Sequence, residues 1–242
     1  METELHLARC GPPGHKSKLE QYAGPLSSAQ IAAGMNAATQ NAERLAKDAR
    51  LLFDNERYAS SLALSILSIE ESGKCRILRE LALARDDKEL RECWREYRSH
   101  TKKNQLWPLI ETFMKGARRA EDFRPLLEPD AEHPYILDKV KQISIYTDCY
   151  TKGHWSVPEQ TVEKQLAESL LTAAELLSRH RDTTTEEIEL WIQYLQPHWK
   201  TTTAASQRAL FEWDKEMRKR GLVKGDKTTM EKFFTTGIDA AD

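Results

Sequence analysis

Residues 58–74, YASSLALSILSIEESGK, decide the fold. Wound as a helix, this stretch is apolar on almost every side from Tyr58 to Ile69, then turns abruptly to Glu70, Glu71, Gly73 and Lys74. Leu62, Ile66 and Ile69 line one side while Leu64, Leu67 and Leu78 line another, so the helix requires several neighbours to cover it. A buried helix has no cheap place for two carboxylates and an ammonium, because desolvating an unpaired charge costs several kcal/mol. These charges are therefore expected to meet partners. Further along the chain, Arg95, Tyr97, His100 and Lys103 recur at helical spacing and can supply them.

Composition agrees with a helical reading. The chain has 242 residues, 40% of them hydrophobic, enough for one large core or a core with an extension. Ten Gly and nine Pro are few for this length, and the dominant residues are good helix formers, so an all-α protein is expected. The formal net charge of -2 gives the molecule no overall attraction for phosphate, and any nucleic-acid contact must come from a local basic patch. Cys10, Cys75, Cys93 and Cys149 have no C-x-x-C spacing and read as reduced thiols. No segment reaches the roughly 18 apolar residues of a membrane helix, and the N-terminus lacks an apolar signal core. A cytoplasmic protein without membrane contact is expected.

Residues 1–26 contain Gly11, Pro12, Pro13, Gly14, Gly24 and Pro25, too many breakers for a regular element. Ser27 and Gln30 have capping-box spacing and open a helix that reads to Asp54, where Asp54, Asn55 and Glu56 mark a turn. Asp86 and Asp87 are expected to close the second helix. A third carries Leu90, Trp94 and Tyr97 on one stripe and brings Arg95 and His100 to its far end. Pro108, Pro125, Pro129 and Pro134 divide the middle of the chain into short helices. Ile143 to Tyr150 reads as a helix end running into a loop. Ser156, with Pro158 and Glu159 behind it, is expected to begin a helix that runs to about His180. Thr triplets at 183–185 and 201–203 precede two further helices, roughly 186–197 and 203–220, with Trp191, Trp199 and Trp213 to bury. The last stretch is polar and reads as loosely attached.

Arg95-x-x-x-x-His100 has the spacing of metal-independent ribonucleases of the HEPN superfamily. Alone it carries little, since Arg9 and His15 show a similar spacing in a Pro-Gly segment that cannot present them on a helix. Its surroundings carry more. Ala49-x-Leu51-Leu52, Tyr58 with Leu62-Ala63, and Ile69-Glu70-Glu71-x-Gly73-Lys74 resemble the hallmark of the AbiV family of bacterial abortive-infection proteins. His100-x-x-Lys103, Ile145-Tyr146-x-Asp148 and Trp155-x-x-Pro158 are similar to further landmarks of that family in the same order. The resemblance covers residues 27–181, leaving 1–26 as an irregular segment and 182–242 as a C-terminal helical extension. It implies a HEPN-like helical bundle, commonly dimeric, acting in defence against phage. HEPN nucleases often carry Asn, Asp or His directly after the Arg, whereas this chain has Glu96.

The chemistry explains the residue types. Cleaving RNA without a metal requires a proton to leave the ribose 2′-hydroxyl and another to reach the departing 5′-oxygen, and an imidazole can serve either step. His100 fits that role. A guanidinium grips two phosphate oxygens in a fixed fork, which suits Arg95. Positions five apart on one helix are about 140° out of phase, so the two converge only through side-chain reach, a bend after His100, or a groove between two copies. A homodimer is expected on that ground and from the wide apolar surface of the second helix. Lys102 and Lys103 extend the positive surface for RNA. Glu70 or Glu71 would orient Arg95 or Lys74, and Glu71 is expected to pair with one of those two. No metal site and no cofactor are expected.

Plainer roles remain open for the same residues. Glu70 and Lys74 have the i, i+4 spacing of an ordinary surface pair worth about 0.2–0.5 kcal/mol, and a His at a helix end often satisfies the dipole. The first functional expectation is an anti-phage abortive-infection protein acting as a metal-independent endoribonuclease. The alternative is a non-catalytic helical module that senses or sequesters a phage-encoded protein or RNA.

Overall fold

In the computed structural model, α1 (Ser28–Asp54) and α2 (Tyr58–Ala82) form an antiparallel pair about which the other helices assemble. The structure describes residues 20–105, 107–128, 131–179, 181–224 and 229–238. Ser27 caps α1 in a reciprocal box, its hydroxyl accepting from the Gln30 amide while the Gln30 side chain accepts from the Ser27 amide. Three residues reverse the chain, with Glu56 taking the left-handed conformation. The α1–α2 seam is built from small residues: Ala42, Ala46 and Ala49 face Ser61, Ser65 and Ser68, all buried. Small side chains let the two helices approach closely. The serines avoid a desolvation penalty by donating to carbonyls, Ser61 to Ala49 at 2.8 Å and Ser68 to Ala42 at 2.7 Å.

The remaining elements cover α2 in sequence. They are α3 (Asp87–Arg98), α4 (His100–Lys103), α5 (Leu109–Met114), a 3-10 segment Ala120–Leu127 and α6 (His133–Ile145). A hairpin follows, β1 (Asp148–Tyr150) antiparallel to β2 (His154–Ser156), with Cys149 opposite Trp155. Then come α7 (Pro158–Thr161), α8 (Lys164–Leu177), α9 (Thr185–Leu195), α10 (Thr203–Lys219) and α11 (Thr229–Phe234). Among the described residues the only sheet is that hairpin, and the fold is all-α.

Apolar packing joins these helices in three clusters. Leu62, Ile66 and Ile69 of α2 meet Leu137 of α6 and Leu170 and Ala174 of α8. Further along α2, Leu78 and Leu81 meet Ile31 and Met35 of α1, Trp94 of α3 and Ile188 of α9. Leu190, Trp213 and Met217 gather around Leu83, so α9 and α10 close over the end of α2. Each fully buried aliphatic side chain contributes about 1.5–3 kcal/mol. Polar ties reinforce the same junction: Asn36 exchanges two hydrogen bonds with the Thr183 backbone, and buried Glu187 accepts from Arg79 at 2.8 Å and Arg181 at 2.7 Å.

Several expectations need correction. Asp86 does not close α2, which ends at Ala82; its carboxylate caps α3 by accepting from the Glu89 amide at 2.8 Å. Most of the apolar surface of α2, including Leu62, Ile66, Ile69 and Leu78, is covered inside the chain by α1, α3, α6 and α8, whereas Leu64 and Leu67 stay half-buried. Ser156 starts no helix. It ends β2, Pro158 opens the one-turn α7, and extended backbone at Val162 and Glu163 precedes α8, which stops at Leu177. Ile143 to Ile145 does end a helix, but Asp148 to Tyr150 then pairs as a strand. The Thr triplets do mark helix starts, Thr184 capping α9 and Thr202 capping α10. The last stretch is attached by rings: Phe233 of α11 packs on Phe123, and Phe234 on Phe211. Residues 1–19, including Cys10, lie outside the described residues, while Tyr22 packs on Trp94, whose indole donates to the Gly24 carbonyl.

Candidate functional site

Glu70 is the centre of a charged cluster inside the bundle. Its carboxylate is 2% exposed, one turn from the core residue Ile66, and the desolvation cost of that position demands partners. It has three. Lys141 Nζ of α6 donates to Oε1 at 2.6 Å, His100 Nδ1 of α4 donates to Oε2 at 2.7 Å, and Lys103 Nζ of α4 lies 3.8 Å from Oε2. Lys141 also pairs with Asp138 at 3.0 Å. Two carboxylates and two ammoniums thus balance when the imidazole is neutral, and protonation of His100 adds one positive charge.

The two lysines respond oppositely to this environment. Burial pushes the Lys103 ammonium below its ordinary value, and the attraction of Glu70 offsets this only in part. For Lys141 burial is again the largest effect and acts in the same direction, but the hydrogen bonds to Glu70 and Asp138 and the attraction of their charges together outweigh it and hold the pKa above the ordinary value. Lys141 is therefore the firm counter-ion. Lys103 is a cation kept in the interior at a cost.

Backbone geometry delivers His100 to Glu70. The helical run through Arg95 ends at Arg98; Ser99 is extended, and its hydroxyl accepts from the Lys102 amide as the cap of α4. The bend lies before His100, not after it, and His100 opens a new helix instead of ending the third. Gly73 completes the junction, because the Lys103 carbonyl rests against its α-carbon where a side chain would stand. Arg76 holds the same turn by donating to the Lys102 carbonyl at 3.1 Å.

The expected site residues divide into three groups. Glu70, His100 and Lys103 come together directly. Glu71 and Lys74 pair with each other at 2.5 Å, and the Lys74 ammonium also stands 5.3 Å from the Tyr97 ring centroid, so of the two partners expected for Glu71 it takes Lys74. Arg95 is exposed on α3 and makes no hydrogen bond or ion pair among the described residues; neither Glu70 nor Glu71 orients it. Glu96, beside it, is drawn toward Arg76 at 4.0 Å. Lys102 contributes its carbonyl to the α4 junction. The imidazole of His100 remains largely exposed, 57% by side chain, and its Nε2 has no hydrogen bond among the described residues.

Lys141 and Asp138 were missed from the sequence. The signal was there: Leu137, Lys141 and Ser144 fall at i, i+4 and i+7 on one buried stripe of α6, and a lysine on such a stripe needs an acid as surely as Glu70 needs a base. Elsewhere, Cys75 and Cys93 are free thiols raised by burial, Cys93 to about 11, and neither is an activated nucleophile. Among the described residues no three His, Cys, Asp or Glu side chains are placed to share a cation, and no helix is long and apolar enough to cross a membrane.

The all-α bundle, with only a small two-stranded hairpin among the described residues, is consistent with the class of HEPN-like helical bundles. A family model for the HEPN-type AbiV proteins matches residues 30–179, more than half of the chain, and the chain belongs to the AbiV family of abortive-infection proteins. The match ends before α9. No curated protein and no solved structure matches the chain.

Proposed function

We propose that this AbiV-family protein is a metal-independent endoribonuclease that halts growth or translation in phage-infected cells, with Arg95 and His100 in the catalytic roles. The observation that carries the reading is the 2.7 Å hydrogen bond from His100 Nδ1 to buried Glu70. A carboxylate that accepts from Nδ1 fixes the ring and leaves Nε2 as the nitrogen that exchanges protons with a substrate. Arg95 supplies a guanidinium for the scissile phosphate, Lys102 adds positive charge beside it, and the Glu71–Lys74 pair and buried Lys103 with Glu70 support the site from beneath. Such a site acts on the ribose hydroxyl and leaves a cyclic phosphate. The test is incubation of the purified chain with total RNA, with and without EDTA, beside Arg95→Ala and His100→Ala. Cleavage that persists in EDTA and vanishes in both variants supports the reading; cleavage lost on chelation and restored by a divalent ion refutes it.

The reading includes a homodimer, in which Arg95 of one protomer, unpartnered among the described residues, complements His100 of the other. Exposed Tyr135, Ile136, Ile145 and Tyr146 on and just after α6, which borders α4, supply apolar surface beside the site. Light scattering that finds only monomer at micromolar concentration counts against it. A second reading, a binding module for a phage protein or RNA, draws on Glu96 and on the break at Ser99 between the two catalytic candidates. In that case RNA binds and is recovered intact.

A further inference from the structure

The outer face of α3 carries basic residues that the fold does not use. Lys88, Arg91, Arg95 and Arg98 follow one another at intervals of three and four, which at 3.6 residues per turn places them within about 80° of one another. The opposite face is fixed inward by Leu90, Trp94 and Tyr97 in the core, so the basic stripe points to solvent. Lys88, Arg91 and Arg95 are exposed, and none makes a hydrogen bond or ion pair among the described residues. This is unlike α2, where Arg76 is held by Glu80 and Arg79 by Glu187. Arg98 is partly engaged, stacking on Trp94 and donating to the Tyr22 carbonyl. Two of the four acids of α3 are drawn off the stripe: Glu89 binds Arg85 and Lys200, and Glu96 lies toward Arg76. Asp87 and Glu92 border it.

We infer that the outer face of α3 is a track for the phosphate backbone of single-stranded RNA, leading the strand to His100. The inference rests on the ribonuclease reading and extends it by giving the substrate a path. From Lys88 to Arg98 the stripe runs about 15 Å at 1.5 Å per residue, long enough for several phosphates. One residue, Ser99, separates its end from His100 at the start of α4. In a chain of net charge -2, unpaired cations aligned on one helix beside the candidate site are the local basic patch that RNA contact requires. Guanidinium and ammonium groups on a solvent face grip phosphates rather than base edges, so the track is indifferent to sequence. It sets affinity and register, and specificity arises elsewhere.

The experiment measures binding, not cleavage. A fluorescein-labelled 2′-O-methyl RNA 12-mer, which cannot be cleaved through its 2′-oxygen, is titrated with the full-length chain at several salt concentrations. Lys88→Gln/Arg91→Gln is compared with Lys139→Gln/Lys164→Gln, a control pair of exposed lysines on α6 and α8. With two single-strand phosphate contacts removed at about 0.7 each, the slope of log K against log salt falls by about 1.4 in the α3 variant, equally for different sequences. The control keeps the parental slope. Glu92→Gln, which removes a bordering carboxylate, tightens binding and tests the track by gain instead of loss. An unchanged slope in the α3 variant, or an equal fall in the control, overturns the inference even where cleavage is observed. If the α3 variant loses binding to phosphatidylserine vesicles while keeping RNA, the face is a membrane contact and the inference also fails. Conversely, a reduced slope in a protein that never cleaves RNA leaves the track standing and removes the nuclease reading.

Discussion

The Lys103 carbonyl occupies the space a side chain at Gly73 would need: a Cβ added there would lie 2.1 Å from that oxygen. Gly in a helix interior normally costs about 1 kcal/mol relative to Ala. Here the glycine is what allows α4 to rest on α2 with His100 within reach of Glu70.

Gly73→Ala should therefore reverse the usual sign. The methyl group meets backbone, which cannot swing aside like the end of a flexible side chain, so α4 must shift. We expect a loss of about 1–3 kcal/mol, in the range of overpacked interiors, together with loss of the His100–Glu70 hydrogen bond. Thermal melting checks the first, and the titration of the His100 ring by NMR checks the second. A variant that melts above the parent would show that α4 is not pressed against α2.

Glu70→Gln and Glu71→Gln separate two neighbours that look alike in the sequence. Neutralising Glu70 strands Lys103 in the interior and leaves Lys141 with Asp138 as its remaining carboxylate, and breaking a buried pair costs about 3–5 kcal/mol. At about 2–4 °C per kcal/mol for a chain of this size, the melting temperature should fall by roughly 6–20 °C. Among the described residues Glu71 forms an ion pair with Lys74 alone, one turn away and part-exposed, so its loss should cost about 1 kcal/mol or less. Equal melting temperatures for the two variants would remove Glu70 from the centre of the cluster.

Much of this was legible in the chain. The length of apolar sequence in 58–69 demanded a central helix, the Ser27 box and the Thr caps gave helix starts, and charge on a buried stripe demanded partners for Glu70. The partners themselves were only partly legible. His100 and Lys103 are near enough in sequence to be guessed from spacing, whereas Lys141 lies 71 residues from Glu70, and only the fold brings α6 against α2. Local breaks were also opaque. Ser99 suits both a helix interior and a cap, and α3 continues smoothly in the sequence through a point where the backbone becomes extended. Ser156 failed for the converse reason, since its good capping spacing was overridden by pairing with Asp148.

Glu89 gives a pH dependence of defined sign. The Arg85 side chain, the Arg85 amide and Lys200 hold its carboxyl at about 2, below the ordinary 4.5, against the opposing effect of burial. A depressed folded pKa means the unfolded state takes up protons first. The stability Glu89 contributes is complete above about pH 4.5 and is lost as pH falls toward about 2. The parent should melt above Glu89→Gln at neutral pH, and the gap should close across that window in acid melts. A gap that persists unchanged at pH 2 would show that the carboxylate is not what Arg85 and Lys200 recognise.

Lys103 provides the sharpest division between stability and activity. Its ammonium is 8% exposed, and the nearest oxygen of Glu70 is 3.8 Å away, while Lys141 and His100 already satisfy that carboxylate at shorter range. Burial outweighs attraction, which is why its pKa is lowered from 10.5. A lysine whose folded pKa is depressed burdens the folded state while charged. That burden is full below the folded pKa and lifts as pH rises toward 10.5. Lys103→Met keeps the length of the side chain and deletes the charge, so at neutral pH its melting temperature should equal or exceed that of the parent. As pH rises toward 10.5 the parent should gain on the variant. If the cation is retained for RNA, the same substitution should weaken cleavage or binding despite the gain in stability. A Lys103→Met protein that melts well below the parent at pH 7 would show that its attraction to Glu70 exceeds the cost of burying it, and the division between Lys141 and Lys103 would then be wrong.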